Sequence, residues 1–449
     1  MRDEVTEFLK RFPDTKQVDT FIIDLCGNAM GKRFPVTDLP KLYEDGSRIC
    51  ASAYLLDARG NSSDPLGLGF SDGDPDAIMK PVPGTLVPVP WIDEPRAQCL
   101  MQLQRPETGD PVWFEPRVIL QTVLDKFTAL ELTPVVAIEL EFYLLDRERD
   151  DSGLPQLPVS PFSGRRSSAG QVYGFDVLEE FSDVFARIHA ACDAQNIPAT
   201  VASSEYGVGQ FELNLKHTND ILRACDWAAM QRRAIKGACR AAGFDATFLS
   251  KPFAGESGSG QHIHVSLRDD QGRPVFDPAN PTSDDMIRYA VAGMQQTLHE
   301  AMLVFAPNLN AFRRFEPDQF VPVTRDWGID NRSMAFRVVD YDNKNRRIEH
   351  RVAGAEANPY LVVAAVLAGI HHGISNRLEP TDMASGNAGA EVDESLPLII
   401  WQAIEIMRSA QVLPQYLSDD YIDAYTRVKQ GEFDEFMSAM SAQELDWYL

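Results

Sequence analysis

The chain has 449 residues, 44% of them hydrophobic and 24% charged, which gives room for a large core and predicts two domains. Its 66 acidic against 42 basic side chains leave a net charge of −24, which argues against nucleic acid or an anionic membrane as a partner. No apolar run approaches the roughly 20 residues of a membrane span. The six cysteines are scattered without a CxxC pair, the pattern of a reduced cytoplasmic protein that keeps them mostly in its core.

Residues 1–12 read as an acidic amphipathic helix rather than a signal peptide. A strand is expected over 18–25, a glycine-marked hairpin turn over 26–33 and the returning strand from 34. A helix follows over 36–45. Residues 53–92 are rich in Gly, Pro and Asp, with a strand-like run at 85–89, and 105–111 read as a turn near a domain boundary. The expected organisation is a small amino-terminal domain over 1–112 and a larger second domain over 113–449, both of the α+β class.

A helix begins at Glu115, and a strand covers 134–145. Residues 150–171 form a long irregular loop, read equally as a lid or as a plain excursion. A helix is expected over 176–195, a strand pair over 200–215 with its turn at Gly207, and a helix over 220–242. A glycine-rich run, Gly255 to Gly260, leads into a strand ending at Leu267. Helices are then expected over 283–304, 359–374, 397–411 and 419–443.

The strands carry the functional argument, because side chains alternate between the two faces of a strand. His262, His264 and Ser266 share one face, with Ile263, Val265 and Leu267 on the other. Alone, this fits a surface strand that happens to hold two histidines as well as it fits a site. The design recurs, however. Glu139 and Glu141 oppose Ile138, Leu140 and Phe142. Glu212 and Asn214 oppose Phe211, Leu213 and Leu215, and Arg347, Glu349 and Arg351 fall together. Repeated polar faces on separate strands predict one sheet curled around a polar site.

Glu139, Glu141, Glu205, Glu212 and Glu349 supply oxygen ligands and His262 a nitrogen, a set that suits Mg2+ or Mn2+ better than zinc. Carboxylates packed this closely repel unless cations neutralise them, although one of them could pair with an arginine instead. Arg314, Arg332, Arg337, Arg347 and Arg351 follow in the same region, and guanidinium forks bind carboxylate and phosphate. Carboxylates beside arginines are the equipment of phosphoryl transfer. No P-loop lysine accompanies the glycine run.

These motifs together resemble the glutamine synthetase family across nearly the whole chain. The carrying residues are Glu139-Leu-Glu141, Glu205-Tyr-Gly-Val-Gly-Gln-Phe-Glu212, Gly258-Ser-Gly-Gln-His-Ile-His264-Val-Ser266, Asn331-Arg-Ser333 and Arg347-Ile-Glu-His-Arg351. The likeness is strongest to the γ-glutamylputrescine synthetase branch. It implies an amino-terminal β-grasp domain, a catalytic funnel of curled antiparallel sheet ringed by helices, and a ring-like homo-oligomer, commonly a dodecamer, with sites between neighbouring subunits. It implies two divalent ions, one held by Glu141, Glu205 and Glu212 and the other by Glu139, His262 and Glu349. It places ATP against His264, Ser266, Lys344 and Arg347, the transferring phosphate near Arg332 and Arg337, and glutamate against Gly258, Arg314 and Arg351.

The implied activity is an ATP-dependent ligase that joins the γ-carboxylate of glutamate to an amine through an acyl phosphate. Departures from the family pattern bear on the amine. Phe320 stands in the flap where an ammonia-using enzyme carries a glutamate, and Ser257 replaces an asparagine that helps to hold glutamate. Phe320 can line a slot for an organic amine but cannot capture ammonium. Phe70, Tyr206 and Phe320 would suit an apolar monoamine. Asp72, Asp74 and Asp76 are candidates for the far end of a diamine such as putrescine, although a solvated acidic turn explains them as well. A glutamine synthetase using ammonia is the enzymatic alternative, and an inactive structural homologue the non-enzymatic one.

Overall fold

The computed structural model describes residues 2–340 and 345–449. In chain order the first elements are α1 (Arg2–Arg11), β1 (Gln17–Ile23), β2 (Ala29–Pro35), α2 (Leu39–Glu44), β3 (Ser47–Cys50), β4 (Asp76–Pro81), β5 (Val87–Pro88) and β6 (Arg96–Gln104). They build a six-stranded mixed sheet in the order β2-β1-β6-β4-β3, with β5 on β6 and a parallel β1–β6 pair at its centre.

The hairpin turn is shorter than expected. It occupies residues 24–28, where the Asp24 carboxylate accepts the Asn28 amide at 2.7 Å and Gly27 takes φ +82°. Gly31, which looked like part of the turn, lies inside β2 instead. A Cβ there would collide with the Thr20 backbone of β1. The central strand β6 carries no simple alternation, because its glutamine Gln98 is fully buried. Arg233 donates to that side chain at 2.6 Å. A buried amide satisfied by a distant guanidinium breaks the pattern that marks a half-buried strand.

The catalytic part continues with α3 (Pro116–Ala129), β7 (Thr133–Leu145), α4 (Phe175–Glu180), α5 (Ser182–Ala194), β8 (Ala199–Ser204), β9 (Gln210–Leu215), α6 (Ile221–Ala241), β10 (Asp245–Thr247) and β11 (Gln261–Arg268). After these come α7 (Ser283–Phe305), α8 (Leu309–Phe312), β12 (Trp327–Ile329), β13 (Phe336–Val339), β14 (Arg347–His350), α9 (Pro359–Asn376), α10 (Ile400–Arg408), α11 (Pro414–Leu417), α12 (Asp419–Ser438) and α13 (Ala442–Tyr448).

Two expected helices are each divided. The first breaks between α4 and α5 at Phe181, whose ring packs edge-on to Phe211 and Phe244. The second breaks between α12 and α13. The short strands β10, β12 and β13 had no visible period, since three or four residues are too few to show one.

The second sheet has eight strands in the order β12-β13-β14-β11-β7-β9-β8, with β10 on β7. It is antiparallel, as expected, apart from the parallel β12–β13 pair at one edge. The apolar faces of β7, β9 and β11 (Ile138, Leu140, Phe211, Leu213, Ile263 and Val265) are buried in the core. Helix α6 covers β7, and α9 packs against α3, α6 and α7. The polar faces of the same strands turn towards the opposite side of the sheet.

Candidate active site

Strand register brings the polar faces into one row. Glu139 of β7 pairs with His262 of β11 on one side and with Asn214 of β9 on the other. Glu141 stands opposite Glu212. His264 stands opposite Glu349, and Glu349 opposite Arg337. Side chains directly opposite on one face of a sheet lie close enough to interact, so the spacing seen along each strand becomes contact across four of them.

These side chains line a cavity of about 610 Å³. All six expected metal ligands border it, together with Arg314, Arg332, Arg337, Arg347, Arg351, His264 and Gly258. A second cavity, of about 420 Å³, adjoins it and shares Glu139, Asn214, His264 and Arg347. Ser266 lies there rather than in the first. Lys344 lies outside the described residues. Tyr206 and Phe320 meet at the mouth of the first cavity with ring centroids 5.3 Å apart.

Phe70 does not join them in this chain, since it is 91% exposed and lines neither cavity. Asp72, Asp74 and Asp76 border a separate cavity, and the first two hold their own loop. Asp72 accepts the amides of Gly69 (3.0 Å) and Asp74 (2.9 Å), and Asp74 accepts the Ser52 hydroxyl at 2.6 Å. Residues 150–171 contribute nothing to the cavity lining, and of that neighbourhood only Tyr173 reaches it.

The imidazoles sit among carboxylates. His264 Nε2 lies 2.8 Å from Glu139, and its Nδ1 accepts from Arg347 Nε at 3.0 Å. His262 Nδ1 lies 3.5 Å from Glu139 and 3.7 Å from Glu349, and its Nε2 3.8 Å from Glu141. Arg337 donates to Glu349 at 2.9 Å, and Arg351 binds the other oxygen of the same carboxylate. One glutamate thus does pair with arginines.

Burial alone would raise Glu349, but Arg351, His264 and His262 outweigh it and hold the group at about 2. Burial likewise opposes ionisation of Glu139, yet His264 and His262 hold it well below the usual range. The other side of the site behaves in the opposite way. Glu205 is pushed up to about 7 by burial and then by Glu141, and Glu212 to about 9 by burial and then by Glu139, Glu141 and Glu205. Carboxyl groups held protonated by their neighbours mark a place short of positive charge.

That deficit is the fit test for a cation. Two sets of donor atoms lie within 4.8 Å of one another, Glu139 with His264 and Glu349, and Glu139 with Glu212 and His262. Mostly oxygen with a single imidazole in each set suits a hard divalent ion. The grouping differs from the one inferred from resemblance, since His264 enters as a possible ligand.

Several site residues had no assigned role in the sequence reading. Gln210 donates to Glu141 and to the Gly258 carbonyl, each at 3.1 Å, and the Gly260 amide donates to Glu141 at 2.8 Å. The period-two signal was available for Gln210, which shares its face with Glu212 and Asn214. Tyr143 donates to the Ser257 carbonyl at 2.6 Å and so braces the glycine run. A Cβ on Gly258 would collide with the Arg314 side chain, which explains why the chain bears no side chain there. His350, on the reverse face, is a core residue held neutral by burial, with its group at about 3, and packs on Phe305 and Phe336.

A funnel-like sheet with carboxylates, imidazoles and arginines converging on one face defines the class of glutamine-synthetase-type ligases. Residues 114–448 match the glutamine synthetase catalytic domain, and the chain belongs to that family, whose catalytic domain uses ATP and a divalent metal.

The chain is 39% identical over 448 residues to γ-glutamylputrescine synthetase PuuA of Escherichia coli (strain K12), covering 99% of this chain and 94% of that one. It is 30% identical over 452 residues to a glutamate–isopropylamine ligase of Pseudomonas sp, covering 98% and 97%. It is also 30% identical over 437 residues to γ-glutamylethanolamide synthetase GlnA4 of Streptomyces coelicolor, covering 95% and 92%. The solved structure of a GmaS/ADP complex superposes with a TM-score of 0.83 at 23% identity, over 100% of this chain and 99% of that one, which is likeness of fold.

Proposed function

We propose that the protein is an ATP-dependent ligase that joins the γ-carboxylate of L-glutamate to an organic amine, releasing ADP and phosphate. The observation that carries the amine assignment is the Tyr206–Phe320 ring pair in the cavity lining, with Phe320 at the flap position where the resemblance places a glutamate in ammonia-using enzymes. The names of the relatives, a putrescine, an isopropylamine and an ethanolamine ligase, support an organic amine.

The reaction has two steps. A γ-carboxylate oxygen of glutamate attacks the terminal phosphorus of ATP, and ADP leaves. The amine nitrogen then attacks the acyl carbon, phosphate leaves and the nitrogen loses a proton. Glu139, Glu141, Glu205, Glu212, His262 and Glu349 would hold two divalent ions, Mg2+ or Mn2+. When bound, these supply charge neutralisation at the phosphate oxygens.

Arg314, buried and donating to the Val352 carbonyl at 2.9 Å, and Arg351 would grip glutamate beside the bare backbone of Gly258. Arg332 and Arg337 would steady the transferring phosphoryl group. His264, Ser266 and Arg347 border the second cavity, the side proposed for the nucleotide, and the resemblance alone proposes Lys344 as a further nucleotide contact. Tyr206 and Phe320 would shield the acyl phosphate from water and receive the apolar part of the amine.

Phe70 would complete that pocket only from a neighbouring subunit, which fits a ring oligomer built from two-domain chains divided near residue 112. Its 91% exposure supports that reading. A cytoplasmic location suits substrates of this kind.

The test is ADP release with glutamate and ATP across ammonium, putrescine, longer polyamines, and alkyl and aryl monoamines, with product masses recorded. Turnover with one organic amine class and little with ammonium is expected. Saturable turnover with ammonium alone would overturn the assignment and make the protein a glutamine synthetase with an unusual flap.

A further inference from the structure

A third large cavity, of about 500 Å³, lies between the β1–β2 turn, the loop bearing Trp91 and helix α6. It shares no lining residue with the two catalytic cavities. Six cationic side chains face it, Arg33, Arg96, Arg232, Arg233, Lys236 and Arg240. That concentration stands out in a chain of net charge −24.

The carboxylates nearby do not balance it. Glu356 is the only acidic residue among those lining the cavity, and its oxygens already accept from Ser250 and from Asn308, the latter at 3.1 Å. Asp19, behind the wall, accepts from Arg33 at 2.6 Å and Arg233 at 3.1 Å, with Arg96 at 3.9 Å. Glu94 and Asp245 touch Arg96 and Arg240 at 3.3 and 3.4 Å. Among the described residues, Lys236 has no carboxylate within ion-pair distance. The Nε atoms of Arg96 and Arg232 have no hydrogen-bond partner, and Arg232 is only 8% exposed.

The cations act on each other. Burial pushes the Arg232 guanidinium down to about 10. Arg233 is also held below its ordinary range, by burial and then by Arg33, Arg96 and Arg240. Retaining this much like charge in one cavity favours an anionic occupant.

Two aromatic surfaces accompany the charge. Arg232 and Lys236 each lie 5.8 Å from the centroid of Phe248. Trp91 is seated directly on Gly237, in the interior of α6, where a Cβ would collide with the indole. A glycine in a helix interior costs about 1 kcal/mol relative to alanine, and here it makes the place for the ring. Guanidinium forks match phosphate bidentately, an indole offers a stacking face, and the volume is that of a small-ligand pocket.

We propose that this cavity is a binding site for a phosphorylated small anion of nucleotide size, separate from the catalytic funnel. The proposal stands independently of the amine-ligase reading.

The experiment follows tryptophan emission of the full chain while inorganic pyrophosphate or AMP is titrated in at low ionic strength, with succinate as the dicarboxylate arm. Saturable quenching by the phosphates is expected. It should be absent in Trp91→Phe and at least about tenfold weaker in affinity in the double variant Lys236→Gln/Arg240→Gln. Both substituted side chains of that double variant are exposed, so it should keep the wild-type melting temperature and turnover. Gly237→Ala, which displaces the ring, should weaken AMP more than pyrophosphate. Unchanged affinity in the double variant, no saturable signal in the wild type, or tighter binding of succinate than of pyrophosphate would each overturn it.

Discussion

Glu205 and Glu212 share a site with Glu139 and Glu349 but hold their protons far more tightly, because burial and then neighbouring carboxylates raise the first two, whereas His264 and His262, joined at Glu349 by Arg351, lower the second two. A raised carboxyl is protonated in the metal-free protein below its folded value and must lose that proton to bind a cation. Divalent-ion binding at pH 7 should therefore release protons, and apparent affinity should rise as the pH climbs through about 7 towards about 9. Calorimetric titration of Mg2+ in buffers of different ionisation enthalpy measures both effects. A proton-neutral, pH-independent binding would contradict the electrostatic account.

Phe320 makes a second argument at this scale. Phe320→Glu places a carboxylate beside Tyr206, which can pair with ammonium and burdens an apolar amine with desolvation. Turnover with alkyl or aryl monoamines should fall by about tenfold or more, and the preference should move towards ammonium, read as the ratio of kcat/KM values. Unchanged amine preference would remove Phe320 from the pocket.

At the scale of elements, helices α7 and α9 approach so closely that their backbones touch. Gly293, Gly369 and Gly373 form the contact, and a Cβ on Gly373 would meet the Tyr289 carbonyl and the Gly293 backbone. Gly373→Ala gains helix propensity yet should destabilise the fold by about 1–3 kcal/mol through overpacking. The contrasting position is Gly431 in α12, where a Cβ meets only Ser63 at 3.9 Å. Gly431→Ala should raise stability by up to about 1 kcal/mol. Denaturant midpoints of the two variants moving in the same direction would refute this reading of the helix contact. None of this was visible in the sequence, where each glycine reads only as a weak point in a helical pattern. The long strands β7, β9 and β11 were legible because their period persists over six or more residues, whereas β6 was hidden by a buried glutamine whose partner, Arg233, lies far along the chain.

Across the whole molecule, the amino-terminal sheet is tied to the carboxy-terminal helices through buried acids. Asp24, whose backbone carbonyl accepts from Asn358 at 2.7 Å, is pushed up to about 7, chiefly by burial. Glu115, beside Tyr54 and Arg117, is pushed up to about 8, again chiefly by burial. Between the ordinary carboxyl range and these values the folded state binds more protons than the unfolded one. Stability therefore falls as pH rises from about 5 to 8, by at most about 1.4 kcal/mol per pH unit for each group. Glu115→Gln should flatten that slope in thermal melts recorded across this window. A slope identical to wild type would show that Glu115 titrates normally.

The sequence alone was enough for the α+β class and the polar faces, which follow from periodicity, and for the family and its two-sheet plan, which follow from the resemblance carried by its motifs. It also brought every expected cation ligand to notice. Which polar side chains stand opposite one another, which glutamate pairs with arginines and which cavity receives Ser266 were decided only by strand register, which sets who faces whom across the sheet. The cationic cavity at Trp91 belongs wholly to the tertiary structure. Its charges come from β2, β6 and α6, from Arg33 to Arg240 in the chain, and only packing of the first sheet against α6 makes them neighbours.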